Sequence, residues 1–93
     1  MIIHIGDNIS ILENDIVAIL DINSVMESKD NKDLIGNLIK EDRFVNYTNN
    51  NIRTYIITSD NKFNINRSVN NQYKLYASSI SSTSLIKRIY TNE

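Results

Sequence analysis

Few residues in this chain have the types and spacing that chemistry requires. His4 is the sole histidine and cysteine is absent, so a transition-metal site has at most one strong ligand. His4 lies inside the apolar run Ile2 to Ile5, where a lone histidine is ordinarily packed or capped. Asp7, Asp15 and Asp21 are the carboxylates to consider for an acid/base pair. Each stands next to a turn, where solvation or capping is the commoner use. Hydroxyls gather at Ser79, Ser81, Ser82, Thr83 and Ser84 with no base nearby to activate one, and helix capping accounts for them better. Two glycines cannot build a dinucleotide fingerprint or a phosphate-binding loop. The residues therefore point away from an enzyme, and no metal or cofactor is expected.

The basic residues say more. Net charge is −1, which argues against a nucleic-acid partner until its distribution is read. Residues 1–33 carry seven acids against Lys29 and Lys32, a balance of −5. Residues 43–90 carry Arg43, Arg53, Lys62, Arg67, Lys74, Lys87 and Arg88 against Asp60, a balance of +6. Local fields of this kind matter more than the sum. Arg53 opens an apolar, β-branched segment directly after a polar turn, so its side chain can reach a phosphate. Lys87 and Arg88 sit beside Leu85 and Ile86 near the chain end. Each has a plainer use: Arg53 in a surface or interface ion pair, Lys87 and Arg88 at the negative end of a helix dipole.

The elements that must position these residues follow from hydrophobic period and turn chemistry. Ile2–Ile5 reads as a strand ended by the turn Gly6-Asp7-Asn8, and Ile9, Ile11 and Leu12 as its partner. Ile16–Leu20 is a continuous branched run that reads as a strand buried on both sides. Ser24-x-x-Glu27 and Asp30-x-x-Asp33 are helix-start signals, the second better placed because Leu34, Ile35, Leu38 and Ile39 follow on one face. Lys40 suits that helix's C-terminal end, and Gly36 weakens it. Strands are predicted over Phe44–Tyr47, Ile52–Thr58, Phe63–Val69 and Tyr73–Ala77, separated by Asn-rich turns. Ser81–Ser84 supply caps for a short terminal helix on which Leu85, Ile86, Ile89 and Tyr90 form an apolar face. The predicted fold is α+β: a small antiparallel-strand-rich domain with one central helix and a short C-terminal helix.

Ninety-three residues allow one domain, spanning 1–93, that buries roughly 60–65% of its extended surface around a thin core. A thin core with open strand edges favours self-association. The opening residues lack a basic leader with a long apolar stretch, and no segment has the apolar length to span a bilayer. With no cysteine present, a cytoplasmic address and no membrane partner are the expectation.

Five segments, in order, carry a family likeness: Ile3-His4-Ile5-Gly6-Asp7, Asn14–Asp21, Val45-Asn46-Tyr47, Arg53–Ile57 and Ser79–Arg88. They resemble the bacterial extracellular-matrix regulators of the RemA/RemB type over most of the chain. The likeness is closest to the RemB branch, which ends in a serine-rich turn followed by Leu-x-Lys-Arg. It implies a cytosolic bacterial regulator of matrix (biofilm) genes. It also implies a homo-oligomer, in the form of a ring, that binds double-stranded DNA mainly at phosphate through Arg53, Lys87 and Arg88. Repetition of one weak basic patch would supply avidity. The alternative is an oligomeric protein-interaction module that binds no DNA. The chain departs from the RemA pattern where Asn50 and Asn51 replace paired arginines and where Asp15 replaces another, each lowering positive charge at the expected DNA surface. Residues 61–71 look like a lengthened hairpin that RemB-like chains lack, with Lys62 and Arg67 on it.

Overall fold

The structure is a computed structural model that describes residues 1–46, 51–59 and 73–91. The chain begins with a hairpin. β1 (Ile2–Gly6) and β2 (Ile9–Leu12) run antiparallel with Ile3 opposite Ile11 and His4 opposite Ser10. Gly6, Asp7 and Asn8 all have positive φ (98°, 52° and 62°). Two successive left-handed residues match the twist of a tight hairpin, and Asp and Asn tolerate that region best among non-glycines. Ile3, Ile5 and Ile11 point inward and are buried, whereas Ile2, His4, Ser10 and Leu12 face out.

A short 3-10 turn (Glu13–Asp15) leads into β3 (Ile16–Asp21). β3 pairs antiparallel with β4 (Thr54–Ser59), which pairs antiparallel with β5 (Tyr73–Ser78), in the order β3-β4-β5. The register sets Ala18, Ile57 and Leu75 side by side on one face and Ile19, Ile56 and Tyr76 on the other. The sheet is therefore the middle of three layers. Its first face meets α1 (Ile22–Glu27) and α2 (Lys29–Lys40) in a core of Val25, Ile35, Leu38, Ile57 and Leu75. Its second face meets the hairpin and α3 (Ser82–Thr91) in a core of Ile3, Ile5, Ile11, Ile56 and Leu85. Two small cores take the place of the single thin one expected. The α+β class holds, with antiparallel sheets and three α-helices among the described residues.

Several local outcomes differ from expectation. Two helices stand where one central helix was read, and their caps lie upstream of the signals. The Asp21 carboxylate accepts from the Asn23 amide (2.9 Å) to start α1, and the Ser28 hydroxyl accepts from the Asn31 amide (3.2 Å) to start α2. α2 ends with Asp42 left-handed (φ 64°), the Asp42 amide donating to Ile39 and the Arg43 amide to Leu38. That is the Schellman closure with aspartate where glycine is usual. β3 has helices and hairpin on its two faces yet lies at the sheet edge. Val17 falls at a bulge and stays 56% exposed. The strand expected over Phe44–Tyr47 reduces to one parallel bridge from Phe44 to Leu75. Arg43 O accepts from Leu75 N, Val45 N donates to Leu75 O, and the Asn46 amide then bonds both Ala77 N (2.9 Å) and Ala77 O (3.0 Å). One side chain there does the work of a strand residue. Tyr47 and the strand expected over Phe63–Val69 lie outside the described residues.

Candidate nucleic-acid interface

Arg53 is exposed at the end of the sheet where β4 begins and β3 and β5 finish. Its backbone is held from both sides: its amide donates to Ser78 O (2.9 Å) and its carbonyl accepts from Ile22 N (2.9 Å). The next residue, Thr54, is fully buried and donates through Oγ1 to Ile80 O (2.7 Å). Ser78, equally buried, donates through Oγ to Ile5 O (2.8 Å) and accepts from Ile80 N (3.0 Å). A guanidinium on so fixed a backbone loses less freedom when it meets a ligand than one on a loose loop. It makes no ion pair with any described residue, so the ion-pair use of Arg53 has no partner among them.

The second pair of cations lies on α3. The Ser81 hydroxyl accepts from the Ser84 amide (3.2 Å) and so caps the helix, which is the role expected of this serine cluster. Lys87 sits five residues beyond the helix start, roughly 7.5 Å along its axis. Consecutive helical residues diverge by about 100°, so Lys87 and Arg88 do not share a direction. Both are exposed. Arg88 Nη1 donates to His4 O (2.7 Å), tying α3 to β1 rather than to its own C-terminal carbonyls. Arginine has five donors, so this bond leaves it able to meet an anion as well.

The remaining described cations lie elsewhere. Lys74 is near the start of β5, opposite Thr58, and Arg43 flanks Leu75. Lys74 is four strand residues from Ser78, roughly 13 Å from the Arg53 end. The structure thus places Arg53 near the start of α3 and Lys87 and Arg88 along that helix, and sets Arg43 and Lys74 toward the other end of the sheet. Asp21 joins the Arg53 end: its Oδ1 faces Ser82 Oγ at 3.5 Å while its Oδ2 caps α1. Sequence spacing gave no sign of that acid beside Arg53, because strand register brings it there.

Residues considered for chemistry are apart. His4 is exposed rather than packed, with Nδ1 3.3 Å from Ser10 Oγ across the hairpin. Asp15 and Asp21 bracket β3, roughly 20 Å from one another along an extended strand. Burial pushes the Tyr55 phenol above its ordinary value, away from use as a base near neutral pH. No group of three or more His, Cys, Asp or Glu that could hold a metal occurs among the described residues. No described helix is long and apolar enough to cross a membrane.

No curated protein matches this chain. A family model does, over residues 2–89: extracellular matrix regulatory protein A-like, a family of regulators rather than one defined by a reaction. Covering nearly the whole chain, hairpin through α3, that match shows that the protein belongs to the RemA-like family.

Proposed function

We propose that the protein regulates extracellular-matrix (biofilm) gene expression in the bacterial cytoplasm. It does so as a homo-oligomer that binds double-stranded DNA mainly at phosphate, and it stands on the RemB branch of its family. Arg53 is the first contact, and Lys87 and Arg88 extend the basic surface along α3. The observation that carries this reading is the exposed Arg53 guanidinium on a backbone fixed at both its amide and its carbonyl. Phosphate contacts made by long cations position a protein on DNA without reading bases, so binding depends steeply on salt and little on sequence. Repetition over several copies turns a few weak contacts per subunit into useful affinity.

The test is duplex binding at two salt concentrations, parent against Arg53→Ala. Binding by the parent should fall steeply with salt. The variant should bind more weakly by a similar factor on unrelated sequences, with its salt slope lowered by about 0.9 for each phosphate that arginine no longer neutralises. Equal binding of both proteins at low salt sinks the assignment of Arg53. No parental binding at low salt favours the second reading, an oligomeric interaction module without DNA. That reading draws on Asn50 and Asn51 in place of paired arginines and on the bond Arg88 already makes to His4.

A further inference from the structure

Both faces of β3 are covered, one by α1 and α2 and the other by the hairpin and α3. Yet Ile16, Ala18, Ile19, Leu20 and Asp21 are all part-exposed and Val17 is open. The exposure lies at the strand's edge, because β3 pairs with β4 alone. The register says which backbone groups stand there. Ile22 N donates to Arg53 O, so Leu20 opposite Tyr55 and Ala18 opposite Ile57 also turn their backbone groups to β4. Ile19 lies between them and turns its N–H and C=O outward, as Asp21 turns its N–H. No described strand pairs with that side.

Other edges are closed. Residues 43–46 line β5, where Asn46 bonds both Ala77 N and Ala77 O, and on β1 the Arg88 guanidinium takes His4 O. β2 has four residues, short enough to discourage pairing. β3 has six residues with no Lys, Arg or Pro among them, and its bulge between Ile16 and Ala18 leaves the rest of the strand in regular register. Beside this edge lies a cavity of about 350 Å³, walled by Val17 and Ala18 of β3 and by Leu34 and Leu38 of α2. That is the volume of roughly a dozen water molecules, room for a large aliphatic side chain. In a strand laid on β3, alternate side chains point to the α2 side of the sheet, and one of them meets the cavity beside Val17.

Charge selects the occupant. Asp15 and Asp21 stand at the two ends of β3, and Arg53, near the second, makes no ion pair with any described residue. The β3 of a second copy, laid antiparallel and centred on this edge, would set Asp21 of each copy beside Asp15 of the other, and like charges on neighbouring strands oppose pairing. A strand with Lys or Arg at its ends meets opposite charges instead. We infer that the β3 edge docks an extended segment of another protein, which adds as a strand, sends an aliphatic side chain into the cavity and carries Lys or Arg at each end. Backbone bonds to Ile19 supply affinity, and the cavity and the two acids supply choice. The inference goes beyond the proposed function and does not depend on it, since duplex binding neither requires nor excludes such a partner.

The test selects a display library of random short peptides on the parent, with Val17→Lys in excess as competitor. Val17 is 56% exposed, so lysine fits at the surface while it blunts the edge and charges the cavity wall. Circular dichroism checks the fold of this variant, and Leu34→Glu takes its place if it does not fold. Selected peptides should share alternating apolar residues bounded by Lys or Arg. A synthetic peptide of that consensus should bind the parent at least about tenfold more tightly than Val17→Lys, and a few-fold more tightly than Asp15→Asn. In amide hydrogen exchange the peptide should newly protect Ile19, while Leu20, already bonded to β4, changes little. No enrichment over the competitor overturns the inference, as do selected peptides that are acidic or have helical i, i+4 spacing. Binding without protection of Ile19 confines the contact to the cavity and overturns strand addition. An Ile19 amide protected in the free parent and released on dilution makes a second copy the occupant and overturns the choice of partner. None of these results bears on duplex binding, which is measured separately.

Discussion

Ser78 has no exposed surface, yet its hydroxyl is fully used. It donates to Ile5 in the hairpin and accepts from Ile80 at the approach to α3. Thr54, opposite it in register and equally buried, makes the companion bond to Ile80 O. These hydroxyls stand where alternation alone would put apolar side chains, because the loop after β5 needs its polar backbone satisfied inside the protein. Ser78→Ala strands one carbonyl and one amide away from water. It should lower the unfolding free energy by about 1–3 kcal/mol, read from the urea midpoint at unchanged slope. Because Arg53 donates its amide to Ser78 O, the same change should also loosen the backbone under the proposed phosphate contact. An unchanged midpoint would show that water replaces the hydroxyl at no cost.

At the scale of elements, α2 is held by its caps and by Ile35 and Leu38 more than by its composition. A Cβ added at Gly36 meets nothing within 4 Å, and its backbone is ordinary helix. Gly36→Ala should therefore stabilise the fold by about 0.5–1 kcal/mol, seen as a rise of several degrees in the thermal midpoint. No rise would mean that the central helix is not intact in solution. Elements whose signal is local were legible in sequence. The Gly6-Asp7-Asn8 hairpin turn, β4 with its branched residues, β5 with its alternation and α3 behind its serine cap all appear as expected, with ends displaced by one or two residues. What was not legible depends on distant partners. Asp21 and Ser28 act as caps only because β3 ends and α1 turns there. Residues 43–46 line up beside β5 through an asparagine side chain, which no periodicity records. For the candidate site, sequence picked out Arg53, Lys87 and Arg88 by charge and place. It did not show that Arg88 bonds β1 or that Asp21 lies beside Arg53, since both follow from packing between segments far apart in the chain.

The whole molecule is a three-layer stack with a core on each side of a three-stranded sheet, and neither core is large. Under the self-association proposed above, part of its stability belongs to the assembly. Raising the protein concentration should then raise the thermal midpoint by mass action, and a midpoint flat across a hundredfold range would count against a stabilising contact between copies. The stack is also built out of order along the chain. The hairpin formed by the first twelve residues covers one side of the sheet only together with α3, through Ile5 to Ser78 and His4 to Arg88, pairs 73 and 84 residues apart. Such distant closures are slow because a long loop must be ordered before any contact is made. The apolar side of the hairpin therefore has only the sheet residues Ile16, Ile19, Ile56 and Tyr76 to rest on until α3 is in place. Until Leu85 and Ile89 of α3 arrive, Ile3, Ile5 and Ile11 stay partly open to any chaperone that takes exposed apolar segments.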